Sequence, residues 1–276
     1  MTTNHMTFSH WRLLKTPPAR GAWNMAVDEA ILEAVGRGDS PPTLRLYAWE
    51  PPCLSIGYAQ NIADVDRSRL IAHGWDLVRR PTGGRAILHT DELTYAIIGS
   101  HSEPLLTGGV MQSYQRIAEA LLDALHHLGV PAQANSQATA KNPVSEAVCF
   151  EAPSNYEITV QGKKVIGSAQ ARRKDGILQH GTLPLRGDIT RICNVLIFPD
   201  ETSRRKAGHR LLARATTLET ALQRLVTWEE AAAAFEAAFS KILQPLQKAD
   251  LSPAEEARAA VLVEEKFAHA SWVERI

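Results

Sequence analysis

The sequence predicts a mixed α/β domain, and three patterns carry that prediction. Strand-like stretches fill the middle of the chain, with helical patterns before, between and after them. Two tight hairpins follow one another, turning at Gln161-Gly162 and Asp175-Gly176; Asp-Gly supplies the positive φ that such a turn needs. The strands do not alternate regularly with helices, which argues against a doubly wound parallel sheet.

The elements follow in order. Asn24 to Val35 places Met25, Ala26, Val27, Ala30, Ile31 and Leu32 at helical spacing, and Gly36 and Gly38 stop it. Leu44 to Trp49 alternates as a strand does and ends at Pro51-Pro52; Cys53 to Ile56 is a short apolar strand closed by Gly57. Asp76-Leu77-Val78 leads into a glycine loop, and Leu93 to Ile98 completes this half. Met111 to Leu128 is a helix with Ile117, Leu121, Leu125 and Leu128 on one face and Gly129 as its stop. Residues 132 to 154 are rich in Ala, Ser, Asn, Pro and Gln and read as irregular; so long a loop inside a domain is more often functional than idle. The hairpins span Tyr156 to Val160, Lys163 to Ala171 and Ile177 to Leu185. The rest is helical, with capping boxes expected at Thr216-x-x-Glu219, Thr227-x-x-Glu230 and Ser252-x-x-Glu255, the last with Pro253 at the first helical position. A main domain over 1–245 and a helical segment over 246–276 packed on it are the expected divisions.

Composition narrows the function. The 276 residues are 45% hydrophobic and 22% charged, with 30 basic and 30 acidic side chains and a formal net charge of +0. That is enough apolar material for one large core, and the balance gives no support to a general nucleic-acid or membrane-surface role. The three cysteines, Cys53, Cys149 and Cys193, lack Cys-x-x-Cys spacing, which argues against a disulfide framework and against zinc. A reducing cytoplasm is the expected setting: the first residues lack a charged-then-apolar leader pattern, and no stretch approaches the ~20 apolar residues of a membrane span.

The richest segment is Arg79-Arg80-Pro81-Thr82-Gly83-Gly84-Arg85-Ala86-Ile87-Leu88-His89. Glycines let backbone approach a ligand, and with arginines beside them they suit a carbonyl or phosphate. A hairpin turn with two solvated arginines is the plain alternative. The order of residues resembles the Arg-Arg-x-x-Gly-Gly-Gly-x-Val-x-His-Asp signature of the lipoate- and octanoate-transferring proteins, relatives of biotin protein ligase. Arg85 stands where many members have a third glycine, and Thr90-Asp91 where they have Asp directly after the His. The resemblance runs from about Asn24 to Leu185, with weaker matches in Arg45 to Pro51 and Ser55 to Tyr58. It implies a mostly antiparallel mixed sheet flanked by helices, as in biotin ligases and class II aminoacyl-tRNA synthetases.

Two further segments extend it. Lys164 in Gly162-Lys163-Lys164-Val165-Ile166-Gly167-Ser168-Ala169-Gln170 matches the lysine of the family's second signature, Lys-Val-x-Gly-x-Ala; alone it would read as a solvated charge. Cys149 in Val148-Cys149-Phe150-Glu151-Ala152-Pro153-Ser154 is similar to the acyl-accepting cysteine segment of octanoyltransferases acting on the glycine cleavage H protein; alone it would read as a small buried hydrophobe. Other octanoyltransferases carry their cysteine near Ile177 or Leu178, where this chain has none. His-Gly at 180–181 also matches the family.

The resemblance therefore implies Cys149 and Lys164 as the catalytic pair. It implies Arg79, Arg80, Gly83, Gly84, His89, Gly167, Ser168, Ala169, His180 and Gly181 as the substrate-binding set. Cys53 and Cys193 read as packing residues, and His89 and His180 read equally well as structural or as proton carriers. The implied reaction moves octanoyl from acyl carrier protein to a lysine of the H protein or a lipoyl domain through a cysteine thioester, with no ATP and no metal. Its alternatives are an amidotransferase between lipoyl domains, an ATP-dependent lipoate ligase and a non-catalytic acyl-protein binding module. Val78, Ile87, Leu88 and the strand around Val165 are candidates for the acyl slot. Arg79, Arg80, Arg172, Arg173 and Lys174 are candidates for a basic rim that steers acidic protein partners.

Overall fold

The computed structural model describes residues 8–135 and 157–276. The chain opens with strand β1 (Trp11–Lys15) and helix α1 (Gly21–Arg37), then β2 (Thr43–Tyr47), β3 (Cys53–Ile56), the short helix α2 (Arg67–Ala72), β4 (Asp76–Arg79), β5 (Ile87–His89) and β6 (Glu92–Gly99). Helix α3 (Val110–His127) and β7 (Gln133–Asn135) follow, and β8 (Glu157–Val160), β9 (Lys163–Arg173) and β10 (Gly176–Pro184) are joined by the two hairpin turns. A 3-10 stretch (Ile189–Val195) precedes α4 (Glu201–Arg214), α5 (Leu218–Leu222), α6 (Trp228–Phe239), β11 (Leu246–Lys248), α7 (Pro253–Leu262), a π turn (Val263–Phe267) and α8 (Ala270–Val273).

Eight strands form one sheet in the order β11-β1-β2-β6-β10-β9-β8-β7, and β4-β3-β5 form a small second sheet. β11, β1 and β2 run parallel, and every other adjacent pair in the large sheet is antiparallel. The mixed, mostly antiparallel sheet expected from the sequence is thus present, with helices on both faces. β6 shows why both faces are covered. Its Leu93, Tyr95 and Ile97 join the core under α3 and α6 with Leu121, Phe235 and Phe239, while Ala96 and Ile98 join the core under α1 and α7 with Ile31, Leu262 and Phe267. Period-two alternation between two apolar faces is the mark of a central strand. A third core lies between the small sheet and α4, built on Leu54, Ile56, Ile192, Leu196 and Leu211.

The helix ends follow local chemistry. α1 stops at Gly38, whose φ of 79° is left-handed. The boxes Thr227/Glu230 and Ser252/Glu255 both form, the second with Pro253 behind its cap. The box expected at Thr216/Glu219 does not. The cap is Thr217, which accepts from the Thr220 amide, while the Glu219 carboxylate accepts from the Gly187 amide. Thr216 is kept out of the cap because its amide donates to Lys164 O, extending the bridge that ties Ala215 to β9.

Two other expectations change. The stretch read as irregular from 132 begins with β7, which owes its strand form to pairing with Ile158 and Thr159; residues 136–156, with Cys149, lie outside the described residues. The C-terminal segment begins with β11, which extends the large sheet with Leu246 opposite Trp11. The helices after it are anchored by a buried ion pair between Arg12 and Glu255, with Ser40 donating to the same carboxylate. Among the described residues, no helix is long and apolar enough to cross a membrane.

Candidate active site

Strands β3, β5, β6, β9 and β10 surround a cleft with an empty volume of about 420 Å³, its open mouth included. Met25 of α1, Tyr47, Trp49, Ser55, Ile87, Thr94 and Thr182 line it, together with eight of the ten expected substrate-binding residues: Arg80, Gly84, His89, Gly167, Ser168, Ala169, His180 and Gly181. A Cβ at Gly181 would lie 2.6 Å from both Gly167 O and the Tyr95 ring. Glycine is required there by the close approach of β9 to β10.

Arg79 and Arg80 adjoin in sequence and work on opposite sides. Arg80 donates to Ser55 O (3.0 Å) and Ser55 Oγ (3.1 Å) through Nη1, and to Gly83 O (2.8 Å) and Arg85 O (2.7 Å) through Nη2. It closes the glycine loop through the loop's own carbonyls. Gly84 holds a φ of 93°, and its carbonyl lies so close to Gly57 that a Cβ there would approach it to 1.9 Å. Among the described residues, the amide N–H groups of Gly83, Gly84 and Arg85 have no protein acceptor. A loop with its carbonyls tied and its amides open suits a carbonyl oxygen or another anionic acceptor. Arg79 instead is fully buried and donates to the carbonyls of Gly57, Gln60, Trp272 and Val273, while Trp272 Nε1 donates back to Arg79 O at 2.8 Å. It fastens the C-terminal helix and does not line the cleft.

Two groupings of a hydroxyl, an imidazole and a carboxylate flank the cleft. In the first, His89 Nδ1 lies 2.8 Å from Glu92 and its Nε2 2.8 Å from Ser55 Oγ, and the ring stacks on Trp49 at 4.0 Å. A ring that donates to Glu92 through Nδ1 accepts from Ser55 Oγ at Nε2. Glu92 also accepts from Thr94 and Thr182. In the second, His180 Nε2 lies 2.6 Å from Thr82 Oγ1, and its Nδ1 lies 3.6 Å from Asp28, beyond hydrogen-bond length. Burial pushes the His180 imidazole below its ordinary 6.5, against the pull of Asp28. Burial opposes ionisation of Asp28 too, but Arg45 and His180 outweigh it and hold the carboxyl below 3.8. Asp28 takes Arg45 Nη1 at 2.7 Å and Tyr47 OH at 2.9 Å, and Asn24 takes Arg45 Nη2 at 2.8 Å. The sequence reading missed this network because Asp28 and Asn24 read there only as polar positions of a helix.

Lys164 is buried on β9, with Nζ 3.1 Å from Glu157 Oε1. It lies three residues before Gly167 and is not among the residues lining the cleft. Gly83 lines an adjoining hollow. Of the expected acyl slot, Ile87 lines this cleft, and the strand around Val165 reaches it through Gly167, Ser168 and Ala169. Val78 packs beside Cys53 under α1, Val165 is in the core under α3 and α6, and Leu88 lines a neighbouring apolar hollow of about 540 Å³ that shares Ile87 and Thr182 with it. The expected basic rim loses Arg79 and Arg80 to burial. Cys53 and Cys193 are buried, and burial pushes the Cys53 thiol well above 9.

A sheet that brings an Arg-Arg-Gly-Gly loop, a Gly-Ser-Ala strand and a His-Gly strand around one slender cleft defines the class of protein: the chain belongs to the lipoyl protein ligase A/B catalytic domain family, whose sequence profile matches residues 20–240. Among its relatives is a protein called octanoyltransferase LipM from Symbiobacterium thermophilum, 43% identical over 270 residues covering 96% of this chain and 98% of that one. Another of the same name, from an Exiguobacterium species, is 42% identical over 251 residues, covering 87% and 91%. The fold is similar to that of an archaeal bipartite lipoate protein ligase from Thermoplasma acidophilum, with a TM-score of 0.78 at 24% identity, covering 98% of this chain and 97% of the other.

Proposed function

We propose that this protein is an octanoyltransferase of protein lipoylation. It takes octanoyl from octanoyl-acyl carrier protein onto Cys149 and passes it to a lysine of the glycine cleavage H protein. The observation that carries the reading is the cleft: a slender pocket whose glycine loop has open amides, in a chain whose named relatives are octanoyltransferases. Each methylene of the tail buried there contributes about 0.8 kcal/mol.

In the first half-reaction the Cys149 thiolate attacks the thioester carbonyl. The oxyanion forms against the loop amides, and the carrier's thiol leaves and takes up a proton. In the second, the neutral amine of the acceptor lysine attacks the Cys149 thioester. An amide bond forms, the cysteine leaves as thiolate, and the amine releases a proton. Lys164 beside the thiol would favour the thiolate. Thioester exchange is near neutral in free energy and amide formation is downhill, so neither ATP nor a metal is required. The cytoplasm, where carrier and acceptor meet, is the expected setting.

Intact mass of the wild type and Cys149→Ala after incubation with octanoyl-acyl carrier protein, without ATP, tests this. A single hydroxylamine-labile octanoyl adduct on the wild type alone is expected. No adduct on either, with pyrophosphate released once ATP and lipoate are added, would replace the transferase by a ligase.

A further inference from the structure

Beside the acyl cleft lies a wider hollow, about 1170 Å³ of empty volume, which shares Gly84 with it and is bordered by Tyr58, Arg85, Arg172 and Arg173. Arg275 stands on the same side. Its guanidinium lies 4.2 Å from the centre of the Tyr58 ring, on which Arg173 also rests at 5.4 Å. A hydrogen bond from Arg275 holds the Tyr58 hydroxyl below its ordinary 10. Arg172 is held by Leu106 O and Ser113 Oγ, both at 3.0 Å, and Arg173 by Pro81 O at 3.1 Å. Among the described residues, none of these four arginines has a carboxylate within ion-pair distance, although the chain pairs Arg12, Arg20, Arg45, Arg67 and Arg258 with acids elsewhere. In a chain of formal net charge +0, four guanidiniums with no acidic partner among the described residues make a local excess of positive charge round one mouth. Such an excess steers an acidic partner and fixes its orientation.

We propose that this arginine-rimmed hollow docks the acyl-accepting protein by an acidic face around its target lysine. The proposal rests on the transfer reading above and names the partner surface for it. Reach decides between the two protein partners. A lysine amine stands five bonds from its Cα, about 6 Å, so the acceptor's folded surface must come to the mouth itself. A carrier that presents its thioester on a long flexible arm need not.

The test compares the wild type with Arg275→Glu, Arg173→Glu and the double variant, each checked for an unchanged melting temperature. One arm reads binding of fluorescently labelled, unacylated H protein by anisotropy across a salt series. The other reads the rate of acylation by octanoyl-acyl carrier protein. The expected result is a rise in Kd for the H protein of about tenfold or more, with a flatter salt dependence, and an acylation rate within twofold of wild type. H protein with its carboxylates beside the target lysine changed to lysine should regain affinity for the variants. An unchanged Kd overturns the proposal, as does an equal loss in the acylation arm, which would give the surface to the donor. If the wild type takes up no octanoyl, the transfer reading fails, while the anisotropy arm still decides the docking surface.

Discussion

The guanidinium of Arg80 holds the glycine loop through two loop carbonyls and two acceptors on Ser55. Removing it frees the glycine loop, on whose amides the proposed transfer relies to receive the oxyanion. Arg80→Ala should therefore lower kcat/KM for octanoyl transfer about 10²-fold, the usual result of misplacing a reacting group by about 1 Å; steady-state kinetics with octanoyl-acyl carrier protein checks it. His180 gives a pH prediction. Its folded-state pKa lies below the ordinary 6.5, so the unfolded chain binds the proton more readily and stability falls as pH drops through 6.5. Asp28, held below 3.8, contributes stability that is lost only as pH falls below that value. The melting temperature should decline between pH 7.5 and 5.5, and His180→Gln should flatten that decline.

At the scale of elements, α7 is tied to the sheet by a buried ion pair, Arg12 and Glu255, beside its apolar packing. Glu255→Ala leaves a buried guanidinium without its partner and removes the N3 half of the α7 capping box. It should cost about 3–5 kcal/mol, read as a drop in denaturant midpoint. Phe239→Ala, in the core between α6 and β6, belongs to the same range by opening a cavity. Elements whose cause is local were legible in the sequence: the alternation of β2, the Gly38 stop, and the boxes at Thr227 and Ser252. The three-residue strands that join the large sheet were not. β7 and β11 exist because β8 and β1 offer open edges, and no periodicity fits in three residues. Thr216 was misread for the same reason, since its competing bond to Lys164 O comes from a distant strand. The site divides likewise. His89, His180 and the glycines are carried by motif order, whereas Asp28 and Arg45 act through partners far along the chain.

Across the whole molecule, positive and negative charges cancel in sum, so long-range attraction to a partner has to come from where charges are unpaired. The glycine loop and the C-terminal helix meet through β4, with Arg80 tied to the loop and Arg79 to Trp272 and Val273. Arg79→Ala strands several buried carbonyls at about 1–3 kcal/mol each and should make the last helix sensitive to limited proteolysis. The acylated wild type and variant should still transfer at similar rates once folded. Two identical neighbouring letters thus hold unrelated posts. In a saturation library, position 79 should be purged by a screen for abundance and position 80 by a screen for activity, so a pattern match that scores Arg-Arg as one unit averages two different selective pressures.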